Sequence, residues 1–150
     1  MTLEINLSKD CFYYIASPYE GYIHGRAVAA AMVKFLSSSL LIRGYRVISP
    51  IVMGDQLAHL VTRGFDWISY DLDLLSRCDG LIVAEFDGWR DSKGVQTEIK
   101  YAWDLGRPIV HITSEEYLAF VKEDYGGIIS AADLFVREEN FELPSIPERI

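Results

Sequence analysis

The 150-residue sequence has few cysteines, no long apolar run and no cluster of basic residues. Its two cysteines, Cys11 and Cys78, are too few for a disulfide framework and lie beside apolar runs, where a buried free thiol is common. Charged residues interrupt each apolar stretch well before the roughly 20 residues of a bilayer-spanning helix, so we expect no membrane span. The net charge of −8 opposes contact with a phosphate backbone, and we therefore expect no nucleic-acid polymer as a partner.

Several motifs and spacings that mark known classes of enzyme are also absent. His24, His59 and His111 lie far apart and share no metal-ligand spacing, so we predict no metal site. The sequence lacks a Gly-x-Ser-x-Gly elbow, a P-loop and a Gly-x-Gly-x-x-Gly fingerprint, which argues against serine hydrolases, NTPases and standard dinucleotide enzymes. We predict no cofactor. The first ten residues lack the basic region and apolar block of a secretory signal, so we expect a cytoplasmic protein.

Strand-like and helix-like segments alternate along the chain. This alternation predicts an α/β fold, with a Rossmann-like parallel sheet of four to five strands and helices on both faces. The length favours a single domain over residues 1–150, with its core at about 11–136 and an extended tail at 137–150. The predicted strands are 11–16, 45–48, 80–84 and 109–112, and the predicted helices are 24–42, 66–77 and the segment that carries Glu98. Residues 117–121 and 128–136 are interpreted as a helix and a further strand.

The segment from Gly88 to Glu98 is the most informative part of the sequence. It follows an apolar strand and leads into a helix that carries a carboxylate in its early turns. Loops at the carboxyl ends of neighbouring parallel strands share one crevice, which is where open α/β sheets bind ligands. We therefore expect the turn at 17–19, the region of Asp71 and the loop before Glu98 to converge. Asp71 lies inside a helix and has the alternative of facing water.

Three segments carry a resemblance to a known family. Tyr14 to Pro18 resembles the Tyr-Leu-Ala-Gly-Pro opening of nucleoside 2-deoxyribosyltransferases. Asp71-Leu72 with Cys78-Asp79 resembles their Asp-Leu and Asn-Asp segment, and Ser92 to Glu98 resembles their Asp/Ser-x-Gly-x-Gly-x-Glu loop, with Gln96 at the second glycine. The resemblance covers about residues 11–112. It is closest to a small uncharacterised branch marked by a Gly-Trp-Arg-Asp-Ser segment, near the deoxynucleoside-monophosphate N-glycosidases.

The resemblance implies a flavodoxin-like fold and cleavage or transfer at the N-glycosidic bond of a 2-deoxyribonucleoside or its 5′-monophosphate. It places the nucleophile at Glu98, the residue that assists the leaving base at Asp71, and the residue that positions the nucleophile at Tyr14. Ser92 occupies a position that is aspartate in the transferases and serine in the monophosphate hydrolases, which favours a phosphate-bearing substrate. The family also implies a homodimer or higher homo-oligomer, because its sites are shared between subunits.

The chemistry fits these residue types. A carboxylate near the anomeric carbon stabilises an oxocarbenium-like state or forms a glycosyl intermediate, and a second acid of raised pKa protonates the departing base. The other predicted substrate-binding residues are Ser17, Pro18, Tyr19, Gly88, Trp89, Arg90, Ser92 and Gly94.

Alternatives stay open for several of these positions. Glu98 could instead be a solvated residue that is favoured electrostatically near the start of its helix. Tyr13 takes the role of Tyr14 if the strand register differs by one residue. Trp89 is either a lid packed on the domain or a platform for a base. The alternative function is a non-catalytic nucleotide-binding module, in which Glu98 holds ribose hydroxyls and Ser92 with Arg90 holds the phosphate.

Overall fold

The structure, a computed structural model, describes residues 5–126. Its elements follow one another as β1 (Phe12–Ala16), α1 (Arg26–Ile42), β2 (Arg46–Ile48), α2 (Pro50–Leu57), α3 (Trp67–Ser76), β3 (Gly80–Ala84), α4 (Lys93–Asp104), β4 (Ile109–Ile112) and α5 (Ser114–Tyr125). The four strands are parallel and lie in the order β2-β1-β3-β4. The predicted α/β fold with a parallel sheet is confirmed. The strand predicted at 128–136 and the tail at 137–150 lie outside the described residues.

The two central strands are buried because helices cover both faces of the sheet. Every residue of β3 is buried, as expected for a short continuous apolar run in a parallel sheet. In β1 the side chains alternate between the two faces. Tyr13 and Ile15 pack in a core cluster with α1 and α5, whereas Tyr14 and Ala16 pack in a second cluster with α3 and α4.

This alternation decides which tyrosine faces α4. Tyr14 pairs with Leu81 of β3 and lies on the face covered by α3 and α4. Tyr13 lies on the opposite face, and its hydroxyl accepts a hydrogen bond from the Ser8 amide at 3.0 Å. Its ring also explains the glycine that begins β3, since a Cβ on Gly80 would lie 2.7 Å from the Tyr13 ring. Tyr13 is therefore a core residue and does not take the position beside α4 that was predicted for Tyr14.

The sequence interpretation missed α2. It placed no helix between the strand at 45–48 and the helix at 66–77, whereas the structure has Ser49 as the N-cap of an eight-residue helix, accepting from the Val52 amide at 3.2 Å. Serine followed by proline is a favoured start for a helix, because serine caps an amide and proline has none to leave unpaired. Helix α1 begins two residues later than predicted, since its N-cap Gly25 has a φ of 93°.

The stretch from the end of α2 to the first turns of α3 carries several exposed apolar side chains. These are Leu57, Leu60, Phe65, Ile68 and Tyr70. The rings of Phe65 and Trp67 contact each other edge to face, with centroids 4.8 Å apart. Within residues 5–126, no helix has the length and apolar character that a bilayer crossing requires.

Candidate functional site

The strand order places a natural binding position between β1 and β3. From β1 the chain continues into α1 on one face of the sheet, and from β3 it continues into α4 on the other face. The loops that leave these two neighbouring strands diverge, and the crevice between them is where doubly wound sheets of this order bind ligands. A cleft of about 470 Å³ lies there. The loop after β1 contributes Pro18, Tyr22 and His24, and the loop after β3 contributes Gly88 and Ser92.

Tyr14, Asp71 and Glu98 come together on the α3–α4 face of the sheet. Tyr14 is fully buried in β1, while Asp71 of α3 and Glu98 of α4 are half-buried. Each carboxylate interacts electrostatically with the Tyr14 hydroxyl, and the two carboxylates interact with each other. Residues separated by up to 84 positions in sequence thus form one cluster, which we call the carboxylate cluster. Asp71 faces this cluster rather than open water.

Burial dominates the electrostatics of the carboxylate cluster. The pKa of Glu98 is raised to about 8, chiefly because burial desolvates its carboxylate; the nearby Tyr14 hydroxyl lowers this pKa, and the negative charge of Asp71 raises it. Desolvation also raises the pKa of Asp71 to about 6. The pKa of the Tyr14 hydroxyl lies well above its usual range, because it is buried next to Glu98. Near neutral pH the two carboxyl groups therefore share about one proton.

Three buried polar atoms at this place have no hydrogen-bond partner within the described part of the chain. They are the Tyr14 hydroxyl, the Ser17 hydroxyl and one carboxylate oxygen of Asp71. The Tyr14 hydroxyl is near enough to Glu98 to affect its pKa but does not reach ordinary hydrogen-bond geometry. Buried polar atoms are nearly always paired in native structures. Two of these atoms, the Tyr14 hydroxyl and the Asp71 oxygen, belong to residues that interact with the raised-pKa carboxyl group of Glu98, which indicates a site organised to bind a polar ligand.

The start of α4 connects the carboxylate cluster to the cleft. Ser92 is the N-cap of α4, and its hydroxyl accepts from the Val95 amide at 3.4 Å. Ser92 lines the cleft, and Glu98 follows six residues later on the same helix, about 9 Å along its axis. On the strand side, buried Ser17 precedes Pro18, which also lines the cleft. Tyr14, Asp71 and Glu98 do not line the cleft themselves, and β1 and α4 are the elements that join the carboxylate cluster to the loops that line the cleft.

Trp89 and Gln96 are held by contacts within the loop. Trp89 packs against the α3–α4 core, and its ring meets the His111 ring edge to face at 5.4 Å. The Arg90 guanidinium lies over Trp89 at 5.3 Å from the ring centroid. The Gln96 amide donates to the Trp89 carbonyl at 3.3 Å, so its side chain turns back along the loop. These contacts support the interpretation of Trp89 as a packed lid residue.

The predicted binding residues divide into two groups. Pro18, Gly88 and Ser92 line the cleft, and the φ of 78° at Gly88 explains why glycine occupies that turn. The Tyr19 hydroxyl instead donates to Asp55 of α2 at 2.7 Å. The remaining four predicted residues, Ser17, Trp89, Arg90 and Gly94, are not among the described residues that line the cleft.

Sequence reasoning missed a pair of residues in the cleft. His24 Nε2 lies 3.2 Å from a carboxylate oxygen of Asp87, and both side chains line the cleft. The position of Asp87 just after β3 was a usable signal, because loops after β1 and β3 meet at this crevice. Within residues 5–126, no three His, Cys, Asp or Glu side chains are grouped to hold a metal ion.

Comparison with known proteins places the chain in a family. A family model described as a domain of unknown function, DUF1937, matches residues 12–114. This match covers well over half of the chain and spans both the cleft and the carboxylate cluster, and the chain therefore belongs to the DUF1937 family. Searches of curated proteins and of solved structures found no match.

Proposed function

We propose that this member of the DUF1937 family cleaves or transfers the N-glycosidic bond of a 2-deoxyribonucleoside or its 5′-monophosphate. The observation that carries the proposal is the grouping of Tyr14, Asp71 and Glu98 around one point beside the crevice between β1 and β3. Cleavage of a glycosidic bond commonly uses two carboxyl groups, at least one of which has a raised pKa, and this cluster supplies both together with a phenol. The Tyr-Ile-Ala-Ser-Pro and Ser-x-Gly-x-x-x-Glu segments, which resemble those of the deoxyribosyltransferases, also support it.

In the proposed reaction Glu98 acts as the nucleophile. Its ionised carboxylate attacks the anomeric carbon and forms a glycosyl ester as the bond to the base breaks. Asp71, in its protonated form, gives its proton to the departing base nitrogen, so that the base leaves neutral. Water or a second base then attacks the anomeric carbon, releases the Glu98 carboxylate and returns a proton to Asp71. Atoms and charge balance with no further reactant.

The raised pKa values leave one proton on the pair between pH about 6 and about 8, so one carboxyl group is ionised and one is protonated. The higher pKa of Glu98 places this proton mainly on Glu98, whereas the proposed reaction proceeds from the less populated arrangement, with the proton on Asp71 and the charge on Glu98. Tyr14 raises the population of that arrangement, because a hydroxyl that donates to a carboxylate stabilises its ionised form. Hydrogen bonds of this kind often tighten only when the substrate is bound.

Base release tests the proposal directly. Four deoxynucleosides and their four 5′-monophosphates are incubated with wild type and Glu98→Gln, and free base is measured by chromatography. We expect wild type to release base from at least one donor and Glu98→Gln to lose at least about 10²-fold in rate, the lower range for a positioned acid or base. Glu115→Gln is the matched control, since Glu115 is exposed in the first turn of α5.

The binding-module hypothesis gives the opposite result. A correctly folded wild-type protein that binds a nucleotide but releases no base from any of the eight donors would overturn the glycosidase proposal. Equal loss of activity in Glu98→Gln and Glu115→Gln would contradict the role of Glu98.

A further inference from the structure

Two of the three histidines contact the loop that follows β3, one from each side. His24 belongs to the loop after β1, and its Nε2 lies 3.2 Å from a carboxylate oxygen of Asp87. His111 belongs to β4, and its Nδ1 lies 3.2 Å from a carboxylate oxygen of Glu85. Because β1 and β4 flank β3 in the sheet, the two histidine–carboxylate pairs join both sides of the loop to its neighbours.

The pair at β4 is built on a fixed backbone. The Glu85 amide donates to the Ile112 carbonyl at 2.9 Å, and the Glu85 carbonyl accepts from the Ser114 hydroxyl at 2.6 Å. The His111 ring also meets the Trp89 ring edge to face, with centroids 5.4 Å apart. His111 therefore links the end of β3 to the middle of the loop.

Trp89 connects this contact to the start of α4. Its carbonyl accepts hydrogen bonds from the Ser92 amide and from the Gln96 side chain, both at 3.3 Å. The amides of Trp89 and Asp91 donate to carbonyls within the same loop, at 3.0 and 3.1 Å. The loop and the first turn of α4 are thus hydrogen-bonded together, and opening of the loop exposes the amides of Trp89, Asp91 and Ser92 to water.

The surroundings of His24 favour a positive charge on its imidazole. Glu20 and Asp91 line the same cleft as His24, and within residues 5–126 no lysine or arginine does. Arg26 lies nearby but is paired with Glu20. The Tyr22 ring meets the His24 ring edge to face at 5.4 Å, and Tyr22 stays uncharged near neutral pH because burial raises its pKa to about 12.

Arg90 is the positive charge that opposes protonation of His111. Its guanidinium lies 5.3 Å from the centroid of the Trp89 ring, which His111 also contacts. Charged side chains of α4 and of the first turn of α5 interact with other groups or are exposed; they are Glu98, Lys100, Asp104 and Glu116, and Lys93 and Glu115. Glu85 is in direct contact with the imidazole, so its attraction sets the sign of the effect.

We propose that His24 and His111 form a pH-sensitive latch that holds the loop after β3 on both sides. When both imidazoles are protonated, each attracts its carboxylate and the loop stays against its neighbours. When they lose their protons this attraction is lost, and the loop opens more often. Histidine suits such a switch, because its charge changes between pH 5 and 8. This inference concerns the motion of the loop alone and does not depend on the proposed function.

Hydrogen–deuterium exchange tests the latch in the full-length protein without any ligand. The measured quantity is the protection of the Trp89, Asp91 and Ser92 amides between pH 5 and pH 8, corrected for the intrinsic pH dependence of exchange. We expect the protection in wild type to fall about three- to tenfold over this range, the combined effect of two partly exposed ion pairs. His24→Gln and His111→Gln should each remove part of this fall, and the double variant should remove all of it.

His59→Gln is the matched control, because His59 is exposed and pairs with no carboxylate in the described part of the chain. It should keep the wild-type profile. Asp87→Asn and Glu85→Gln remove the partners of His24 and His111, and each should reproduce the profile of the corresponding histidine variant. Wild type in about 1 M salt gives a measurement that needs no substitution, since screening of these pairs should reduce the pH dependence.

Several results would overturn the latch. One is a wild-type protection that stays constant or rises between pH 5 and pH 8. Another is a profile of the double variant that superimposes on that of His59→Gln, and a third is a profile that depends on one of the two histidines alone. A wild-type profile that salt leaves unaltered would show that the attraction between imidazole and carboxylate does not hold the loop.

Discussion

Tyr14 is the residue whose contribution can be isolated most cleanly. Its hydroxyl is buried, lacks a partner in the described part of the chain and lowers the pKa of Glu98. Tyr14→Phe keeps the ring and removes only that hydroxyl. We expect the maximal kcat/KM to fall about 10- to 100-fold, the value of a hydrogen bond of about 1.5–3 kcal/mol to a charged group. The pKa of Glu98 should rise above 8. This is the higher pKa of the pair, above which both carboxyl groups are ionised and no proton remains for the departing base. The alkaline limb of the pH profile should therefore move to higher pH.

Tyr117→Phe is the control for this change. The Tyr117 hydroxyl is also buried and without a described partner, but it lies in the core cluster on the opposite face of the sheet. Its removal should leave both the rate and the pH profile unaltered. A Tyr14→Phe profile that superimposes on that of Tyr117→Phe would show that Tyr14 only fills space.

Some of these residue positions could be predicted from the sequence and others could not. The strand that carries Tyr14 and the helix that carries Glu98 could be placed from their apolar pattern and flanking turns, but the choice between Tyr13 and Tyr14 stayed open, because the run at 11–16 has no alternation that marks one face. The His24–Asp87 pair joins two loops that are 63 positions apart, and loop side chains have no period that indicates their direction. The hydrogen bond from Tyr19 to Asp55 depends on α2, which the sequence interpretation had not placed.

Helix α4 carries Glu98, and its N-cap should support both stability and activity. Ser92→Ala removes the acceptor for the Val95 amide and should lower the free energy of unfolding by about 0.5–2 kcal/mol. Because the start of α4 also lines the cleft, kcat/KM should fall as well. Denaturant unfolding and base release measure the two effects on the same samples.

Thr113→Ala gives the comparison. Thr113 caps α5 in a full capping box with Glu116 and does not line the cleft, and loss of this cap should lower the free energy of unfolding by a similar amount. Activity at a temperature where both variants are folded should fall only in Ser92→Ala. Equal activity in the two variants would show that the start of α4 serves the fold alone.

The elements differ in how well the sequence predicted them. The bounds of β3 and β4 match the predictions, because β3 is a continuous apolar run and β4 is a mainly apolar run that follows Gly106-Arg107-Pro108. Ser92 is the N-cap of α4, a position at which serine is favoured. Helix α2 is short, largely half-exposed and without a strong apolar period, so only its Ser-Pro start indicated it. Self-association stays a prediction, which the exposed apolar side chains of residues 57–70 support.

The raised pKa values also make the stability of the protein depend on pH. Glu98 has a pKa of about 8 when folded and an ordinary value near 4.5 when unfolded, so between these values the folded state binds more protons. The free energy of unfolding must then decrease as the pH rises through this window, and Asp71 adds the same trend between about 3.8 and about 6. The cluster thus destabilises the fold at alkaline pH, a cost commonly found where a site is organised for function.

Thermal unfolding of wild type and Glu98→Gln between pH 5 and pH 9 measures this cost. Wild type should lose at least about 2–4 °C in Tm on going from the acidic to the alkaline end, the shift that about 1 kcal/mol produces in a domain of this size. A net charge of −8 adds a general loss of stability at high pH, and Glu115→Gln measures that contribution, because its charge is exposed. Glu98→Gln should flatten the curve beyond the effect of Glu115→Gln and should be the more stable of the two above pH 8. Parallel curves would mean that Glu98 is solvated and ionises normally, which would remove the electrostatic basis of the proposed mechanism.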